Sequence, residues 1–490
     1  MINNIKQTLK HSSIFALGKI STKLVGFILL PIYTKEISVS DYGILGILEL
    51  IDLLGSNVLS IGMPQALLRW YTLAENKIEK QKIVFTNFIF LVFIFCSATL
   101  MIIPFQTTLS TILFDQSNLG IYLVFVFISV TLSNLGHIPQ SILRMEEKSL
   151  FFSISITVQF TISMILNIYF VAVLKLGVRG ILIANIISNG LLFMVLLPYL
   201  LKRMEFELDF KKLKEMLLFS YPFILIALST SILSLGDRYI LTKLTNLSQV
   251  GLYSLGYKIS NVLKIFVVDS FTLGLPIIGW QVVKANSKPN LYLSRVLTYL
   301  TYILCWLGLA IAIFSKEIIQ IFAVNKDYWD AYQVIPYLLL GVLFLGVQQH
   351  LFFIMQIPKK TKQISYIIGS AAILNIFLNL ILIPNFQMLG AAYATIVSYL
   401  VVAILAYVAV KKYYPVKFEI KRMLLLITLS IILFIISTLD INLSGLFNLI
   451  FKASIIIAFP LLLALVNFYS AEEKKKIKNT IKYLRYKNRS

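Results

Sequence analysis

Charge is scarce in this chain of 490 residues. Asp, Glu, Lys and Arg together make up 13%, where a soluble globular domain carries roughly a quarter. Acidic residues are the scarcer sign, 22 against 44 Lys and Arg, and histidine occurs three times. The only two cysteines, Cys96 and Cys305, both sit in apolar runs. They make no disulfide framework and no metal-ligand spacing, and they read as small buried hydrophobes. No G-x-x-x-x-G-K-[ST] phosphate loop occurs. Long polar segments are missing too. The longest interruptions, Lys202 to Glu215 and Ser315 to Val334, leave no room for a soluble catalytic or nucleotide-binding domain. The chain therefore reads as a non-enzyme with no metal site and no cofactor.

What fills the sequence is hydrocarbon, 58% of residues. Apolar runs of about 20 residues recur along its length, each long enough to cross a bilayer core of about 30 Å as a helix. Fourteen spans are expected, near 13–33, 43–68, 83–105, 117–143, 149–174, 180–201, 217–242, 251–278, 291–314, 334–357, 364–384, 390–410, 422–439 and 447–469. The fold class is all-α, a polytopic membrane protein. With the N-terminus inside, about 32 of the 44 Lys and Arg fall on the inner segments. That asymmetry is the positive-inside rule and puts both termini in the cytoplasm. The net charge of +22 thus reports orientation and contact with anionic lipid, not nucleic acid. The polar start "MINNIKQTLKHS" and the long first apolar run do not form a cleavable leader. The basic tail, 470–490, is expected along the inner leaflet.

Two halves of the sequence resemble each other. Lys35, Ser40 and Gly43 match Lys243, Ser248 and Gly251 at an offset of 208, and "ILNIYF" from Ile165 matches "ILNIFL" from Ile373 at the same offset. Gly180, Ala184 and Ser188 match Gly390, Ala394 and Ser398 at 210. The expected organisation is a six-helix lobe at 1–201, a cytoplasmic linker at 202–216, a second lobe at 217–410 and two added helices within 411–469. Six spans is an even number, so both lobes enter the membrane in the same direction. They should be related by a pseudo-two-fold axis along the membrane normal, with a binding site near the midplane between them.

Nine ionisable residues fall inside spans: Lys19 and Lys23 in span 1, Glu49 and Asp52 in span 2, Asp237 and Arg238 in span 7, and Lys258, Lys264 and Asp269 in span 8. Each costs about 2.5–3.5 kcal/mol at the bilayer centre on insertion scales. Nine facing lipid would exceed a typical net stability of about 5–15 kcal/mol. They are therefore expected to face water or one another, around a cleft shared by spans 1, 2, 7 and 8. Blander readings stand beside this one. Asp237 and Arg238 could anchor a helix end at the interface, Glu49 and Asp52 could only tie helices together, and Lys264 could snorkel. His137 and His350, with neighbouring Asn and Gln, read as interhelical hydrogen bonds. Pro31, Pro64, Pro139, Pro222 and Pro276 mark broken helices or plain kinks.

The stretches "YTKEISVSDYGILGILELI", "GMPQALLRWY" (Gly62 to Tyr71) and "SYPFILIALSTSILSLGDRYILTKLTNLSQVGLYSLGYKIS" (Ser220 to Ser260) resemble polysaccharide flippases of the MATE-like exporter superfamily. The resemblance runs through spans 1–12 in order. It implies a two-lobed fold with a central cavity of alternating access. The implied cargo is an undecaprenyl-pyrophosphate-linked oligosaccharide turned over in the bacterial cytoplasmic membrane for O-antigen, capsule or exopolysaccharide. Arg69, Asp237, Arg238 and Lys258 carry over as site residues; Lys19 and Lys23 match no motif position. Partners would be the lipid-linked cargo, the bilayer, a coupling proton or sodium ion, and other polysaccharide-assembly membrane proteins. A lipid II flippase, a multidrug exporter and a polytopic polymerase are the rival functions. The few ionisable residues in the outer loops speak against the polymerase.

Overall fold

The computed structural model describes residues 27–284, 289–439 and 445–469, together with Lys474. All regular structure among them is helical. The helices are α1 (Leu30–Glu36), α2 (Val39–Leu59), α3 (Met63–Leu73), α4 (Lys77–Phe114), α5 (Gly120–Met145) and α6 (Ser149–Asn167, extended by a π-turn over Ile168–Val173). Then come α7 (Gly177–Leu201), α8 (Phe210–Leu235), α9 (Asp237–Leu244), α10 (Leu247–Leu263, then a π-turn over Lys264–Asp269) and α11 (Ser270–Lys284). The rest are α12 (Pro289–Ile313), α13 (Ser315–Phe322), α14 (Ile335–Gln356), α15 (Thr361–Tyr413), α16 (Ile420–Thr438) and α17 (Leu446–Leu465).

Among the described residues, twelve continuous segments are long and apolar enough to cross a membrane. One of them, α15, is two helices joined at Gln387, whose backbone (φ 50°, ψ −128°) leaves the helical region. Asn375 Nδ2 donates to Ser398 Oγ at 3.2 Å across that joint. On a straight helix those residues would stand about 35 Å apart, so the chain doubles back. Most of the expected first span lies outside the described residues. The prolines sort by position. Pro31 and Pro64 sit in the first turns of α1 and α3, where the missing N–H costs nothing. Pro139, Pro222 and Pro276 lie inside helices. Ile61 and Gly62 both take positive φ and break α2 from α3.

The centre of the fold is the crossing of α2 and α10. Ser38 and Asn246, 208 residues apart, cap the two helices in the same way, accepting from Asp41 N at 3.1 Å and Gln249 N at 3.0 Å. Beyond the caps the backbones touch. A Cβ on Gly43 would overlap the carbonyl of Leu247, and a Cβ on Gly251 would overlap the carbonyl of Val39. These contacts are reciprocal at the 208-residue offset, as in an isologous two-fold interface. One turn further on, Gly46 faces the Ser254 hydroxyl, again its own equivalent. Small residues let the backbones approach this closely. The start of α2 is tied down by Tyr328, whose hydroxyl donates to Ile37 O and Ser38 O, both at 2.9 Å.

Candidate functional site

Past Gly46 and Ser254 the two helices present larger side chains to each other. Glu49 on α2 meets Lys258 on α10 at 3.1 Å (Oε1 to Nζ). Its other oxygen meets Arg238 Nη1 from α9 at 3.2 Å. Arg238 also donates to Gly46 O at 3.4 Å, and its guanidinium lies 5.0 Å over the Tyr257 ring. Lys258 is flanked by the rings of Tyr42 at 5.2 Å and Tyr33 at 5.9 Å. One carboxylate thus serves two cations. Arg238 is 1% exposed, Lys258 22% and Glu49 36%. The arginine is sealed in while its partners reach solvent.

Asp237 and Arg238, neighbours in sequence, pair their side chains with different groups. The Asp237 carboxylate accepts the Tyr253 hydroxyl, and Thr395 Oγ1 of α15 at 3.4 Å; Glu49 is the carboxylate that holds Arg238. Both Asp237 and Arg238 are buried. Asp52 is exposed, and Lys264 and Asp269 are half-buried at the two ends of the α10 π-turn. Arg69 is exposed and stacks over Phe219 at 4.6 Å and Trp70 at 5.2 Å. Lys19 and Lys23 lie outside the described residues.

A cavity of about 780 Å³ opens beside this cluster. Of the expected residues, Glu49 and Lys258 line it; Asp237 and Arg238 stand behind the wall. Most of the lining comes instead from α5, α6 and α7, whose interiors were read as free of charge. Ser133, His137, Gln140 and Arg144 line it from α5, at spacings of four, three and four residues, which is one helix face. Gln159, Ser163 and Asn167 do so from α6, and Asn185, Ser188 and Asn189 from α7, again at helical spacing. Hydrogen bonds join the walls: Gln159 Nε2 donates to Asn189 Oδ1 at 2.7 Å, and the Tyr33 hydroxyl to Asn167 Oδ1 at 2.8 Å. His137 and its neighbouring amides read from sequence as interhelical hydrogen bonds, and the stripes of α6 and α7 carry no ionised side chain to draw attention. Neutral polar groups recurring every three to four positions in an apolar helix were the available signal.

Two further charge clusters stand apart from the cavity wall. Where α5 and α7 end, Glu146 accepts from Arg203 at 2.6 and 2.7 Å, from Tyr199 at 2.8 Å and from Tyr71 at 3.1 Å, with Lys148 at 3.0 Å. Burial alone would raise its pKa, but these donors outweigh it and hold the Glu146 carboxyl well below the usual range. In α17, Lys452 pairs with Glu317 of α13. That is a charge inside a span which the sequence reading had left without one. His350 is buried and bonds across helices to Leu293 O at 2.9 Å.

Long apolar helices packed around a polar internal cavity define a multi-pass, all-α membrane fold. The same fold occurs in the lipid II flippase MurJ in an inward closed conformation (TM-score 0.77, 16% identity, covering 93% of this chain and 98% of that one). It recurs in an inward-facing multidrug resistance MATE transporter of the MOP superfamily (0.67, 14%, 83% and 96%). The Vibrio cholerae MATE transporter VcmN in its bent form also matches (0.53, 13%, 84% and 96%). The model of the polysaccharide biosynthesis protein family matches residues 8–279, more than half of the sequence, and the chain belongs to that family. No curated protein matches it.

Proposed function

We propose that this chain is a flippase that carries an undecaprenyl-pyrophosphate-linked oligosaccharide from the cytoplasmic to the outer leaflet of a bacterial cytoplasmic membrane. The polar cavity of about 780 Å³, enclosed by helices that are otherwise apolar, carries this reading. A lipid-linked sugar needs its hydrophilic head sheltered while the prenyl chain stays in lipid, and a membrane-embedded polar slot supplies that shelter. Membership of a polysaccharide biosynthesis family supports the cargo class. We place the two lobes at 1–201 and 217–410, with the added helices after them and both termini inside. The reciprocal contact at Gly43 and Gly251 supports the lobe assignment. It lies at the end of α2 that the charge asymmetry assigns to the outer face, so it closes the cavity on that side.

Within this scheme Glu49, Arg238 and Lys258 hold α2, α9 and α10 together, and their rearrangement accompanies opening. Arg238 acts through Glu49 and does not touch cargo in this conformation. A deletion strain tests the function: it should accumulate lipid-linked repeat units on the cytoplasmic leaflet and lose surface polysaccharide, both restored by the wild-type chain. Normal polysaccharide together with accumulated lipid II would establish the lipid II flippase reading in its place.

A further inference from the structure

The cavity is long and its lining is graded. From Ser133 to Arg144 along α5 is three turns, about 16 Å. At one end stand Glu49 and Lys258, paired to each other at 3.1 Å. The middle carries no fixed charge, made of the His137 imidazole and the amides Gln140, Gln159, Asn185 and Asn189 with serine hydroxyls between them. At the other end stands Arg144, beside Phe152. Arg144 and Lys258 are the two fixed cations of the described lining, and Lys258 is ion-paired with Glu49, a carboxylate it shares with Arg238. Arg144 is exposed into the cavity mouth. It donates to the Ser141 hydroxyl at 2.9 Å, lies 5.8 Å over the Phe152 ring, and has no carboxylate partner among the described residues. The charge asymmetry places its end of α5 at the cytoplasmic face, level with the headgroups of the inner leaflet.

Resting on the flippase reading above, we propose that the cavity is a directional two-part site. Arg144 binds the carrier lipid's pyrophosphate at the mouth, and the amide stripes of α6 and α7 bind the hydroxyls of a glycan pointing inward. A guanidinium presents a planar fork of donors matched to phosphate oxygens and stays charged at any relevant pH. Amides and hydroxyls both donate and accept, which suits the alternating hydroxyls of a sugar. The neutral middle selects an uncharged glycan over a polyanionic one, because extra acidic groups there would be desolvated without a cation.

The test uses the full chain in nanodiscs, with geranylgeranyl pyrophosphate and geranylgeraniol as probes. Wild type should bind the pyrophosphate well above the alcohol. Arg144→Ala should lose about tenfold to a hundredfold in affinity, the range for one charge-assisted contact. Arg144→Lys should lose less, and Lys202→Ala, a surface cation near the same face, nothing. Gln159→Leu with Asn189→Leu should leave prenyl pyrophosphate binding intact and abolish polysaccharide complementation in cells. Unfolding midpoints equal to wild type confirm that each variant is folded; if Arg144→Ala is not, Arg144→Lys carries the comparison. Unchanged binding in Arg144→Ala, or in Arg144→Lys where Arg144→Ala is not folded, would overturn the inference while leaving the flippase reading intact, and loss in Lys258→Met would then put the phosphate at the inner end. Equal binding of pyrophosphate and alcohol by wild type would count against both, and the deletion strain's lipid content then decides the flippase reading on its own.

Discussion

Removing the charge of Glu49 should damage the protein more than removing either of its cations. In Glu49→Gln the buried Arg238 loses its carboxylate and keeps the Gly46 carbonyl at 3.4 Å and the face of the Tyr257 ring. Stripping one partner from a buried ion pair costs about 3–5 kcal/mol, because the remaining charge cannot reach water. Lys258, 22% exposed on its side chain, can hydrate through the cavity, so its share falls toward the 0–1 kcal/mol or so of an exposed pair. The amide oxygen of Gln offsets part of the loss, leaving about 3 kcal/mol. Lys258→Met leaves Glu49 bound to Arg238 and should cost about 1 kcal/mol or less. Arg238→Met leaves Glu49 bound to Lys258 and should fall between them. The double variant Glu49→Gln with Arg238→Met removes the orphaned charge and should recover most of the single loss, a coupling that a double-mutant cycle isolates. Thermal unfolding of purified protein, followed by the fluorescence of its four tryptophans, gives the order. Equal destabilisation by Lys258→Met and Glu49→Gln, or a double variant worse than Glu49→Gln alone, would refute the shared-carboxylate account.

Gly43→Ala and Gly251→Ala meet equivalent carbonyls, so each should cost about 1–3 kcal/mol as overpacking and the two midpoints should agree; a harmless member of the pair would show that the crossing is not symmetric. Glu146→Gln should destabilise at neutral pH, and the gap from wild type should stay constant above the unfolded Glu pKa of about 4.3. Below it the gap should narrow as pH falls toward the depressed folded value; a gap that widens in acid would reverse the sign of the linkage. Asp237→Leu leaves the hydroxyls of Tyr253 and Thr395 without their acceptor and should cost about 1–3 kcal/mol, read in the same unfolding assay. Cysteines placed at Asn246 and Lys212 should be labelled from opposite sides of the membrane; labelling from the same side would undo the proposed topology.

The spans, the break between 384 and 390 and the match of Gly43 with Gly251 were legible because each rests on a local pattern: run length, its interruption, a repeated motif. Glu49 and Lys258 were legible as charges that could not face lipid. Their pairing was not, since it depends on a helix crossing set by glycines a full turn away. Arg238 was legible as a charge inside a span, but its burial behind Glu49 was not, because sequence shows charge and not what covers it. The cavity wall was missed for the opposite reason. Ser133, Gln159 and Asn189 carry no charge, and single amides in apolar helices read as glue between neighbours. Only the packing of α5, α6 and α7 turns three separate stripes toward one space. Arg144 fell at a predicted span end, where a cation is ordinary, and its place at the cavity mouth needed the fold.

Transport itself is the most direct test. The chain is reconstituted into vesicles carrying a fluorescent undecaprenyl-pyrophosphate oligosaccharide in both leaflets, and a membrane-impermeant quencher is added outside. If the account is correct, wild type brings the inner-leaflet pool to the quencher and the signal falls to completion, while Arg144→Ala protein at equal density leaves most of that pool protected. A wild-type signal that stops at the outer-leaflet fraction, as in empty vesicles, would contradict the account.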